Sequence, residues 1–72
     1  MYKLRKEILK KLMDSRETRN LLANATGRSE QAVFHSVSKK QGRSIASNLD
    51  AMEFLEKEYS LTRDEIREPL KK

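Results

Sequence analysis

A chain of 72 residues forms one domain, near the lower size limit for folding on a single hydrophobic core. With 36% apolar and 38% charged residues, one histidine and no cysteine, the composition excludes a disulfide framework, a thiolate metal site and a histidine metal cluster. No apolar run has the length of a signal peptide or of a membrane span, and the net charge of +5 favours an anionic partner for a soluble, intracellular protein.

Apolar residues at helical spacing predict the first two helices. The first covers about residues 2–13, and the second covers about residues 15–25 and begins at Asp14 or Ser15 as its N-cap. Gly27 can adopt the left-handed conformation that ends a helix in a tight turn. The residues predicted to face inward are Leu4, Ile8, Leu9, Leu12 and Met13 in the first helix and Leu21, Leu22 and Ala25 in the second.

Ser29 is a favourable N-cap for a third helix over about residues 29–40, and Gly42 follows its end. A fourth helix is predicted over about residues 45–58, with Ser44 or Ser47 as its cap. The residues expected to pack inward are Val33 and Val37 in the third helix and Ile45, Leu49, Met52 and Leu55 in the fourth, with Phe54 and Tyr59 adding bulk.

The fifth predicted helix, over about residues 63–68, has the clearest start. Thr62 and Glu65 have the spacing of a capping box, and Pro69 ends the helix. Lys71 and Lys72 are expected to form a frayed tail. Because breakers are few and no strand-like alternation occurs, we expect an all-α, compact five-helix domain over residues 1–72, and Met1 with the short basic tail indicates a complete protein.

The spacing of three small or branched residues indicates how the second and third helices meet. Ala23 allows the two helices to approach closely, Gly27 forms the turn four residues later, and Val33 anchors the third helix. This pattern predicts a central helix-turn-helix.

The same segment resembles the DNA-binding helix-turn-helix of the Cro and lambda-repressor-like (XRE) family of phage and bacterial transcriptional regulators. The family often has Gln in place of Arg19 and apolar residues in place of Arg28 and Ser36, so the rotation of the third helix is left open. The resemblance implies a sequence-specific repressor-like protein of a prokaryotic or phage-infected cytoplasm, with the third helix in the major groove of double-stranded DNA.

The resemblance implies two sets of DNA contacts. Gln31 can bind adenine through two hydrogen bonds, Glu30 can either contact cytosine or stabilise the helix dipole, and Phe34 can either contact thymine methyl groups or join the core. His35 is either a base or phosphate contact or an ordinary exposed residue. The predicted base-reading residues are Ser29, Glu30, Gln31, Phe34, His35 and Ser38, and the predicted phosphate-binding residues are Arg19, Arg28, Lys39, Lys40, Arg43 and Ser44.

The charge distribution agrees with this assignment, because residues 1–43 hold 11 Lys or Arg and 4 Asp or Glu, whereas residues 44–72 hold 5 and 7. No nucleophile–base pair, cofactor motif or metal cluster stands out, so we expect neither an enzyme nor a protein with a cofactor or small-molecule substrate. The alternative is a protein-binding helical module, an antirepressor or adaptor that keeps the fold without reading DNA; RNA binding is a third possibility. A homodimer through Ile66, Leu70 and the exposed side of the fourth helix would read two half-sites.

Overall fold

The computed structural model describes residues 1–70, and the predicted frayed tail at Lys71 and Lys72 lies outside them. The described chain is mostly helical and compact, with a Cα radius of gyration of 10.6 Å. It contains six helices and one small antiparallel sheet. These elements are β1 (Tyr2–Leu4), α1 (Lys6–Asp14), α2 (Arg16–Thr26), α3 (Glu30–Lys39), α4 (Arg43–Ala46), α5 (Leu49–Tyr59), α6 (Arg63–Ile66) and β2 (Arg67–Pro69).

Side-chain caps start most of the longer helices. The Ser15 hydroxyl accepts the Thr18 backbone N–H at 3.2 Å, and the Ser29 hydroxyl accepts that of Ala32 at 3.1 Å. Thr62 and Glu65 form the predicted capping box at the start of α6. Each cap satisfies an N–H group that the first helical turn leaves without a backbone partner. The predicted caps at Ser15, Ser29 and Thr62 are therefore confirmed.

The prediction of a helix from residue 2 is wrong, because residues 2–4 form β1. This strand pairs antiparallel with β2, with Tyr2 opposite Pro69 and Leu4 opposite Arg67. The Leu4 N–H also donates to the Gln41 carbonyl at 3.0 Å. Leu4 still enters the core, although from a strand. The partners of β1 are about 40 and 65 residues away in the sequence, so local periodicity does not show the pairing.

The predicted fourth helix is two helices, α4 and α5, separated at Ser47 and Asn48. Neither predicted cap is correct. Gly42, in the left-handed region at φ 67°, precedes α4, and the Asn48 side chain caps α5 by accepting the Ala51 N–H at 3.0 Å. The fifth predicted helix also ends early, at Ile66, because residues 67–69 continue as β2.

One hydrophobic core lies between the helices and the sheet. Predictions for Ile8, Leu12, Leu22, Val33 and Val37 are confirmed, whereas several other residues expected inside are not. Met13, Leu21, Ala25 and Leu49 are exposed, the last with 64% of its surface accessible. The buried apolar residues are Leu4, Ile8, Leu12, Leu22, Ala23, Val33, Val37, Ile45, Ala46, Ala51, Met52, Leu55 and Ile66.

Candidate nucleic-acid interface

Helices α2 and α3 are joined by a three-residue turn that the sequence encodes locally. Gly27 adopts φ 70°, and the following Arg28 N–H donates to the Ala23 carbonyl at 2.9 Å. Ser29 then caps α3. Ala23 and Val33 are both buried in the core, at 4% and 0% exposure. The turn and its two apolar anchors therefore fix how α3 leaves α2.

The outward face of α3 contains most of the predicted base-reading residues. Val33, Ser36 and Val37 face the core, which settles the rotation of the helix that the sequence left open. Ser36, where the family often has an apolar residue, is buried beside Val37. The predicted base-reading residues that are exposed are Ser29, Gln31, Phe34, His35 and Ser38.

Arg19 is held inside the fold and does not suit the phosphate-binding role predicted for it. It is 8% exposed, and its guanidinium donates to the carbonyls of Leu12 at 2.7 Å and Met13 at 2.8 Å. Its Nε also pairs with the Glu30 carboxylate at 2.9 Å. Arg19 thus connects the end of α1 to the start of α3. The pairing also occupies Glu30, so its carboxylate is a poor base-reading group.

Phe34 is a surface residue, not a core residue. Its side chain is 42% exposed, and the Arg19 guanidinium carbon lies 5.2 Å from the ring centroid. The ring borders a hollow of about 290 Å³ together with Arg16, Arg19, Glu30 and Gln31. Sequence reasoning did not select Arg16 as a DNA contact. Its position as the first residue of α2, immediately after the predicted N-cap Ser15, was the available signal, and Arg16 is exposed there.

A second, larger groove separates α3 from α4. Arg28 donates to the Ser44 hydroxyl at 2.9 Å, and Ser44 is hydrogen-bonded to the buried Ser36 at 2.9 Å. These two hydrogen bonds join the α2–α3 turn and α3 to α4. The groove has a volume of about 460 Å³, and His35, Lys40 and Arg43 contribute to its lining. The structure therefore brings together Arg28, Lys40, Arg43 and Ser44, four of the predicted phosphate-binding residues.

Most cations around α3 form no ion pair within residues 1–70, Arg19 being the exception. The ion pairs among residues 1–70 are Lys3–Glu68, Arg5–Glu68, Arg19–Glu30 and Arg63–Glu56. Within those residues, Arg16, Arg28, Lys39, Lys40 and Arg43 form none. Residues 31–49 moreover contain no Asp or Glu. The surface formed by α3, α4 and the turn before α3 is consequently positive and uncompensated.

The described residues were also searched for a metal site and for a membrane-spanning helix. Residues 1–70 contain no cluster of three His, Cys, Asp or Glu side chains arranged to hold a metal ion. None of the helices over the same residues has the length and apolar character needed to cross a membrane. Comparison of the chain with protein families, with curated proteins and with solved structures gave no match.

Proposed function

We propose that this protein binds double-stranded DNA sequence-specifically, through α2 and α3 acting as a helix-turn-helix, as a small phage- or bacterial-type transcriptional regulator. The observation that carries the proposal is the surface around α3, where Gln31, Phe34 and His35 are exposed. The cations that flank them and form no ion pair within residues 1–70 are Arg16, Arg28, Lys39, Lys40 and Arg43. DNA binding requires this combination, because cations neutralise phosphates while amide and apolar side chains contact base edges.

The dimensions of α3 suit the major groove. An α-helix with its side chains is about 10–12 Å across, and the major groove of B-form DNA is about 12 Å wide. The ten residues of α3 give a length of about 15 Å along the groove. Gln31, in the first turn of α3, would form two hydrogen bonds with an adenine edge. Arg28, Lys39, Lys40 and Arg43 would contact phosphates on either side.

Ser29 and Ser44 are less suited to contact DNA than the sequence suggested. The Ser29 hydroxyl is already used as the cap of α3, and that of Ser44 is bonded to Arg28 and Ser36. Either hydroxyl would have to add a phosphate contact to its existing bonds. The proposed base-reading function therefore depends chiefly on Gln31, with Phe34 and His35 beside it.

A protein-binding module is the second candidate, and exposed apolar residues favour it. Leu49 is 64% and Leu21 is 44% exposed, so both side chains are available for an apolar contact with a partner protein. The dimer interface predicted from the sequence needs correction, because Ile66 is fully buried and cannot form it. Leu49, on the exposed side of α5, is the better candidate for such a contact.

Titration of random and selected duplexes at two salt concentrations tests the proposal. We expect binding that weakens steeply with salt, because phosphate contacts release counterions, and that favours selected over random sequences. Gln31→Ala should relax the preference at one base pair by about 1–3 kcal/mol. Asn24→Ala, which removes an exposed amide on α2 to which no DNA contact is assigned, is the matched control. Absence of binding at low salt, or binding without any sequence preference, would contradict the proposal.

A further inference from the structure

The hollow beside Phe34 contains an exposed phenyl ring, which the lining of the groove between α3 and α4 lacks. It lies at the junction of the first turn of α2 and the first turns of α3, and Arg16, Gln31 and Phe34 contribute to its lining. Phe34 lines the hollow and is 42% exposed. An aromatic ring exposed on a positively charged surface is available for contact with an apolar group of an otherwise anionic partner.

Internal contacts support the ring on one side. Arg19 lies 5.2 Å from the ring centroid, and three hydrogen bonds to Leu12, Met13 and Glu30 immobilise its guanidinium. A ring supported in this way loses little conformational freedom when a partner binds, so a small apolar contact can contribute measurably to affinity. Arg19 therefore acts as a positioning residue for Phe34.

Gln31 and Phe34 are three residues apart on α3, so their Cβ atoms lie about 5–6 Å from each other on the same side of the helix. If Gln31 contacts one base pair, Phe34 reaches the next one. The prominent apolar group in the major groove is the 5-methyl group of thymine, and 5-methylcytosine carries the same group. The exposed ring of Phe34, next to the amide of Gln31, can make an apolar contact with this methyl group.

We propose that Phe34 binds the 5-methyl group of a pyrimidine next to the base pair contacted by Gln31, so that the protein distinguishes methylated from unmethylated pyrimidines. This inference rests on the proposed DNA-binding function. It adds a chemical specificity, because uracil and thymine, or cytosine and 5-methylcytosine, differ only in the group that Phe34 contacts.

Base analogues in a selected duplex provide the test. Uracil replaces each thymine in turn, and 5-methylcytosine replaces each cytosine in turn. We expect one position at which loss of the methyl group weakens binding, or its gain strengthens binding, by about fourfold, the value of one buried methyl group. Phe34→Ala should abolish this difference, and Phe34→Leu should retain part of it.

Leu21→Ala, which shortens an exposed apolar side chain on α2, is the matched control and should keep the full methyl effect. Thermal melts of each variant establish that it is folded. Sequence-specific binding with no methyl effect at any position would overturn this inference while leaving the proposed function intact. A methyl effect that persists in Phe34→Ala would also overturn it. Absence of DNA binding would refute the proposed function itself.

Discussion

At the residue scale, one side chain has a different role from the one its type suggests. Arg19 was predicted to bind phosphate, yet it is buried against α1 and paired with Glu30 on α3. Burial of an arginine is tolerated when its donors are satisfied, and here two carbonyls and one carboxylate accept from them. Because Arg19 and Glu30 neutralise each other, neither contributes a free charge to the surface around Gln31.

Replacing Arg19 by methionine should therefore destabilise the fold. Loss of the guanidinium leaves the Glu30 carboxylate and two carbonyls without their donor, and we expect a loss of about 2–3 kcal/mol in the free energy of unfolding. Urea denaturation measures it. The double variant Arg19→Met with Glu30→Gln removes the orphaned charge and should recover part of that loss. Equal stabilities of the single and double variants would show that the orphaned Glu30 charge costs nothing.

At the element scale, the two glycines share a backbone conformation but not an environment. Gly27 has φ 70° and Gly42 has φ 67°, a region that costs other residues about 1–2 kcal/mol. A Cβ atom added at Gly27 would meet no atom within 4 Å, whereas one added at Gly42 would overlap the side chain of Leu4. Gly27 is therefore required only for the backbone conformation of the turn. Gly42 is required for its backbone conformation and also for the close approach of Leu4 in β1.

Gly27→Ala should consequently cost about 1 kcal/mol of stability, the backbone strain alone. Gly42→Ala should cost more, because the buried Leu4 side chain must also move. Urea denaturation of the two variants gives the comparison directly. Equal losses at both positions would contradict the close approach of β1 to Gly42.

The capping box of α6 makes a pH-dependent contribution to stability. The Thr62 backbone N–H and hydroxyl both donate to the Glu65 carboxylate, at 2.9 and 3.0 Å, and these bonds lower the pKa of Glu65. A carboxyl whose folded pKa lies below its unfolded value stabilises the fold above the unfolded pKa. That contribution is lost as pH falls through the folded pKa.

We therefore expect the stability advantage of the wild type over Glu65→Gln to shrink as pH falls from about 6 to below about 4, the range in which glutamate ordinarily titrates. The variant does not titrate at this position. Denaturant titrations across the pH series measure the difference. A constant difference over the whole range would exclude a role for Glu65 ionisation.

At the scale of the whole molecule, charge is segregated between the two parts of the chain. The segment 31–49, which includes most of α3 and all of α4, carries cations and no acidic residue, whereas α5 to β2 contain seven acidic residues. A domain with extents of only 30 × 25 × 21 Å presents few alternative faces to a long anionic partner. This asymmetry should orient the molecule on DNA.

Single lysine and arginine replacements test that orientation. Lys40→Ala and Arg43→Ala should weaken binding to all sequences alike, and each should reduce the slope of log affinity against log salt by about 1. Lys57→Ala, on α5, is the matched control and should leave the slope unchanged. A larger effect at Lys57 than at Lys40 would place the DNA on a different face.

The sequence by itself determined the local features. Ser29, Gly27 and the Thr62–Glu65 pair specify caps and turns through bonds that span only a few residues, and helical spacing was enough to place Val33 and Val37 in the core. Only the tertiary structure decided the rest, because the deciding contacts join distant segments. β1 forms against residues about 65 positions away, and Arg19 finds its acceptors on α1 and α3. Packing of the elements, rather than residue type, therefore determined which cations remain available around α3.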